Sequence, residues 1–163
     1  MQTVNVNELK ALLLEELEHI VNTSNNLIRK ISTDHWHFRP HQNMRSLLEL
    51  VEHLVSVPSS DLLILKESSE AVIRKLEADI AEDPSIEKLT QWMTKGVYEV
   101  RSYMEGLTDE EFLRKSTKPF YLEHGSVQAK WLIEITTHAQ HHRAQLFTYL
   151  KMQGYEISMF DLY

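Results

Sequence analysis

Apolar side chains in this chain recur at steps of three and four residues over long stretches, and nowhere do valine and isoleucine alternate as a half-buried strand requires. Leu13, Leu17, Ile20, Leu27 and Ile31 share one face, with Glu15, Glu18 and Arg29 on the other. That is the pattern of a helix with one side buried. Leu47, Leu50, Leu54 and Val57 repeat it, as do Ile86, Leu89, Met93, Val97, Val100 and Met104, and again Trp131, Ile135, Leu146 and Tyr149. With only 4 glycines and 4 prolines in 163 residues, there is little turn chemistry for a many-stranded sheet. The chain is therefore expected to be all-α.

The first helix is expected over 7–31, capped by Asn5 or Asn7. Ser32 to Asn43 reads as a connection that packs Trp36 and Phe38 on the bundle. A second helix runs from Met44 past Val57, and Pro58 should kink or stop it, because proline removes an amide donor. Shorter helical stretches follow at 61–65 and 70–80, broken by Ser68 and Ser69. Pro84 suits the first turn of a third long helix that stops at Gly106. Thr108 to Glu111 is a capping-box pattern announcing a short helix. Phe120 to Gly125 reads as irregular, and a last helix spans about 126–153 before Gly154. The apolar tail, with Ile157, Met159, Phe160, Leu162 and Tyr163, is expected to dock through those side chains rather than fray. Four long helices with a long crossover connection make a four-helix bundle, in a single domain over residues 1–163.

The formal net charge of −7 disfavours a surface that gathers phosphate backbones, so nucleic acid is not an expected partner. No apolar run approaches the length of a membrane span, and Met1 to Lys10 lacks the basic start and apolar core of a secretory signal. A cytoplasmic protein without a membrane partner is expected. The absence of cysteine leaves any metal to histidine or carboxylate ligands.

Histidine is the unusual residue, with 9 in the chain. His138, His141 and His142 lie within the last helical stretch. At about 100° per residue, His142 falls about 40° from His138, while His141 falls about 60° to the other side. His138 and His142 thus join the buried stripe and His141 stays at its flank. Two buried imidazoles cost about 1 to 3 kcal/mol each unless their nitrogens find partners. A shared metal ion would satisfy both, and so would carboxylates or carbonyls. A third ligand must come from another helix, and His53, at the margin of the second stripe, is the candidate. Glu49 and Glu134 each precede one of these histidines by four residues, so either could accept the second ring proton. Glu16 and His19 make a single Glu-x-x-His step, whereas a carboxylate-bridged di-iron bundle needs two. The other histidines read as polar surface.

The run RPHQNMRSLLELVEHL, Arg39 to Leu54, together with HAQHHRAQLFTYLKMQG, His138 to Gly154, resembles the DinB/YfiT-like family of metal-dependent enzymes. This is the DNA-damage-inducible family, unrelated to the translesion polymerase that shares its name. The resemblance covers essentially the whole chain. It implies a DinB/YfiT-type four-helix bundle in which one histidine of the second helix and an H-x-x-x-H pair of the fourth bind a divalent metal, zinc or nickel. Those positions fall on His53, His138 and His142. Ala144 departs from the glycine of the HHRGQ run found in many relatives. The resemblance further implies a homodimer and a thiol S-transferase that uses bacillithiol or a similar low-molecular-weight thiol, related members including a mycothiol-dependent isomerase.

Three neutral imidazoles would leave open positions on an ion, as catalytic sites do. The expected function is accordingly a metal-dependent transferase or hydrolase acting on a small molecule. Glu134 or Gln145 would hold a bound water or thiol, and Tyr149 and Trp131 would wall the pocket. Beside it stand a non-catalytic metal-binding stress-response protein and a plain helical interaction module.

Overall fold

The computed structural model describes residues 5–163. Six helices, α1 (Val6–Arg29), α2 (Leu47–Leu65), α3 (Glu70–Ala81), α4 (Ile86–Glu105), α5 (Asp109–Arg114) and α6 (Gln128–Met152), are joined by one small hairpin. Its strands, β1 (Ser116–Thr117) and β2 (Ser126–Val127), pair antiparallel, Ser116 opposite Val127. The bundle consists of α1, α2, α4 and α6. Each of α1 and α2 packs on both α4 and α6, so α1 and α2 stand diagonally across the core. The connections from α1 to α2 and from α4 to α6 therefore both cross the bundle. α3 lies outside this set, against α2.

Capping side chains set several of the helix starts. Asn5 Oδ1 accepts the Asn7 amide (3.1 Å) at α1. At α2 the Glu49 amide donates to Ser46 Oγ (3.2 Å), and the Ser46 amide donates to Glu49 Oε2 (2.7 Å). This reciprocal capping box begins the helix at Leu47, three residues later than Met44. The same arrangement joins Thr108 and Glu111 at α5, as expected. Pro84 lies just before α4 rather than in its first turn, and Ser85 caps the helix. Gly106 ends α4 with an ordinary right-handed conformation, whereas Gly154, past the end of α6, takes the left-handed φ of 79° that favours glycine.

Pro58 does not stop α2, which continues to Leu65. An interior proline costs about 3 kcal/mol, but Leu54, Val55, Val57, Leu62 and Leu65 are all buried, and their packing outweighs that cost. Gly96 of α4 gives Pro58 its room. A Cβ there would stand 2.7 Å from Ser59 Oγ and 3.0 Å from Pro58 Cβ, so α2 and α4 meet almost backbone to backbone. α2 then ends where Glu67 adopts a left-handed φ of 62°. Its carboxylate accepts the Lys118 amide (2.9 Å), pinning the hairpin loop to this end of α2.

The tail docks, but through only two of the side chains expected, Ile157 and Leu162. Ile157 is 4% exposed, while Phe160 is 82% exposed and Met159 and Tyr163 are also in water. Polar groups anchor it further. Lys30 pairs with Asp161, and the Leu162 carbonyl accepts from His19 Nε2 (2.9 Å) and from buried Arg143 (3.2 Å).

Candidate metal centre

α2 and α6 pack side by side along the bundle, and α2 places His53, and α6 His138 and His142, on the shared face. His53 of α2 and His138 and His142 of α6 each offer a ring nitrogen, and these nitrogens all lie within 4.8 Å of one another. The His53 ring sits edge-on to His142, with centroids 4.4 Å apart. His138 Nε2 and His142 Nε2 are separated by 3.1 Å. His141 points away into solvent, stacking only its edge on His142.

Hydrogen bonds on the far side of two rings decide which nitrogens face the centre. His138 Nδ1–H donates to Asp61 Oδ2 (2.8 Å), and His142 Nδ1–H donates to Gln145 Oε1 (2.8 Å). Both Nε2 lone pairs are thereby turned toward each other. Burial holds His53 near a pKa of about 3, aided by the Arg45 guanidinium and the other rings. Burial likewise lowers His142 to about 4, against the opposing bond to Gln145. His138 is shifted the other way, upward, because its bond to Asp61 outweighs burial. Asp61 is itself raised by burial, its side chain only 14% exposed, with the His138 bond opposing.

The carboxylate partner therefore differs from the two expected. Glu49 is held by the Ser46 amide and by Arg39 (2.9 Å), and Glu134 pairs with Lys130 (3.1 Å). Asp61, two turns beyond His53 on α2, serves His138 instead. Gln145 orients His142 rather than standing free for a water or thiol. Trp131 is buried and donates toward the Thr117 carbonyl (3.4 Å), which fixes the hairpin and not the site.

Sequence comparison matches the DinB family model to residues 1–163. The chain belongs to the DinB family. It is 26% identical over 137 residues, 82% of this chain and 84% of the relative, to the uncharacterized protein YjoA of Bacillus subtilis (strain 168). A crystal structure assigned to the DinB family, from Exiguobacterium sibiricum 255-15, superposes with a TM-score of 0.75 at 25% identity, covering 94% of this chain and 97% of that one. The structure of YjoA, a DinB-like protein from Bacillus subtilis, shares the fold with a TM-score of 0.65 at 21% identity, covering 90% and 95%. No helix among the described residues is long and apolar enough to cross a membrane.

The donor set of this DinB-family chain fits a divalent ion. Two lone pairs 3.1 Å apart repel unless a cation or proton lies between them, and two nitrogens on one tetrahedral ion stand about 3.3 Å apart. Asp61 and Gln145 supply the outer hydrogen bonds that metal-binding imidazoles require. One cavity opens at His53, and a larger one is lined by Gln145, the partner of the His142 ring. The smaller, of about 220 Å³, is lined by His53, Arg45, Glu49, Glu52, Ser56 and Glu77. The larger, of about 660 Å³, runs past Arg39, Arg45 and Gln145 and is walled by Tyr149, as expected of that residue.

Proposed function

We propose that this DinB-family protein is a metal-dependent enzyme, a thiol S-transferase or hydrolase acting on a small molecule, with His53, His138 and His142 as the ligands of one zinc or nickel ion. The observation that carries the reading is the pair of Nε2 lone pairs held face to face by Asp61 and Gln145, with His53 completing a three-nitrogen set beside an open groove. A divalent ion bound there supplies Lewis acidity, lowering the pKa of a water or thiol so that a nucleophile exists at neutral pH.

The protein's own groups do the rest. Burial keeps His53 and His142 neutral, so their lone pairs stay available as pH falls well below 7. Asp61 holds the His138 ring in one tautomer and offsets positive charge at the centre. Tyr149, whose hydroxyl donates to the Arg45 carbonyl (3.0 Å), fixes the groove wall where a substrate enters. Three protein ligands leave room for a reactant, which distinguishes this set from a closed structural site. The proposal extends to a cytoplasmic homodimer, since Met159, Phe160 and Tyr163 expose apolar area that a second subunit would cover.

The test is conjugation of low-molecular-weight thiols to electrophiles, run beside ester and amide hydrolysis. Chelation should abolish turnover and zinc or nickel should restore it. A fully loaded protein that turns over none of these substrates would instead be a non-catalytic metal-binding protein.

A further inference from the structure

Arg45 stands at the junction of the two grooves and has no carboxylate of its own. It lines both cavities, one with the candidate ligand His53 and the other with Gln145, the residue that holds the His142 ring. Among the described residues it forms no ion pair and no side-chain hydrogen bond; its backbone carbonyl alone is engaged, by Tyr149. Neighbouring Arg39 is different, being paired with Glu49 at 2.9 Å. Arg45 is exposed, so in a chain of net charge −7 its free guanidinium is open to an anion from outside.

We propose that Arg45 binds the carboxylate of a small organic acid in the larger groove, so that the substrate or cosubstrate of the metal centre is a carboxylate-bearing molecule. This rests on the enzyme reading above. The larger groove, about 660 Å³, has the volume of a small-molecule site. It offers Gln42 and Asn43 as amide donors beside the guanidinium, a set that matches the two oxygens of a carboxylate. The smaller cavity is unsuited to an anion, because Glu49, Glu52 and Glu77 share its wall with Arg45, whereas the larger sets Arg39 and Arg45 against Glu49 alone. The start of α2 is no competitor either, since its amides already donate to the Phe38 and Trp36 carbonyls and to Ser46 Oγ, and the Ser46 amide to Glu49. Gln145 lines the same groove and holds the His142 ring, so a molecule bound at Arg45 lies next to a residue that touches the centre.

Calorimetric titration of the full-length protein as purified, repeated after chelation, tests this with glutarate and its uncharged diamide as probes. Wild-type protein should bind glutarate saturably in both states. Arg45→Gln should weaken that binding at least tenfold, Arg45→Lys should weaken it less, and Arg74→Gln, at an arginine that lines neither cavity, should leave it unchanged. The diamide should not distinguish wild type from Arg45→Gln. Equal glutarate affinity in wild type and Arg45→Gln would overturn the assignment, as would no saturable binding by wild type or equal weakening by Arg74→Gln. The chelated arm separates the two ideas. Arg45-dependent binding without metal-dependent turnover would sink only the enzyme reading, and turnover with Arg45-independent binding would sink only this one.

Discussion

Asp61 accepts the Nδ1 proton of His138 across 2.8 Å, reaching over from the helix that also carries His53. One helix thus provides a nitrogen of the centre and the carboxylate that aims a nitrogen on the neighbouring helix. Replacing that carboxylate should loosen the centre without unfolding the bundle. Asp61→Ala is expected to reduce zinc affinity about 10- to 100-fold, the usual effect of losing such an outer partner. Glu134→Ala should leave it unchanged. Competition titration with a chromogenic chelator reads both, and equal losses from the two variants would contradict the assignment.

Asp61 was nevertheless present in the sequence as a signal. It is the only Asp, Glu, Lys or Arg between His53 and Lys66, and an isolated acid in so apolar a run has to be paired if the run is buried. Looking for partners only one turn from each histidine hides it, because it serves a ring on another helix. The bundle and the facing of His53, His138 and His142 follow from helical phase, which local spacing determines. The continuity of α2 through Pro58 does not, since it depends on Gly96 of α4 and on burial that only the assembled fold supplies. The start of α2 was legible in the S-x-x-E of Ser46 to Glu49, and that capping role is what removes Glu49 from the metal centre.

Proton linkage gives a second expectation. In the folded, metal-free protein His53 and His142 titrate near 3 and 4, below the usual histidine value of about 6.5 that holds in the unfolded chain. Between those values the unfolded chain binds more protons, so this stability is complete above pH of about 6.5 and is lost as pH falls toward 4. His138, raised by Asp61, acts oppositely, its contribution present below about 6.5 and lost as pH rises through its folded value. Two depressed rings outweigh one raised ring on the acid side. The melting temperature of chelated protein should fall from pH 7 to pH 5, and His53→Phe should flatten that fall. Parallel curves for the two proteins would contradict it.

The tail should stabilise the fold through Ile157 rather than through its exposed aromatics. Ile157→Ala is expected to cost about 2 kcal/mol, lowering the melting temperature by roughly 4 to 8 °C. Phe160→Ser should instead reduce the mass in solution, as expected if the exposed tail covers a second subunit. Calorimetry and light scattering check these in turn. An Ile157→Ala protein with unchanged melting temperature, or a Phe160→Ser protein with unchanged mass, would contradict the corresponding role.

The central claim is that His53, His138 and His142 hold one divalent ion together. Elemental analysis of untagged protein, purified without metal affinity steps, tests it most directly. The account predicts one equivalent of zinc or nickel per chain, strongly reduced by alanine at His53, His138 or His142 and nearly unchanged in His141→Ala. Absence of stoichiometric metal in the wild-type protein, or full occupancy in His53→Ala, would contradict it.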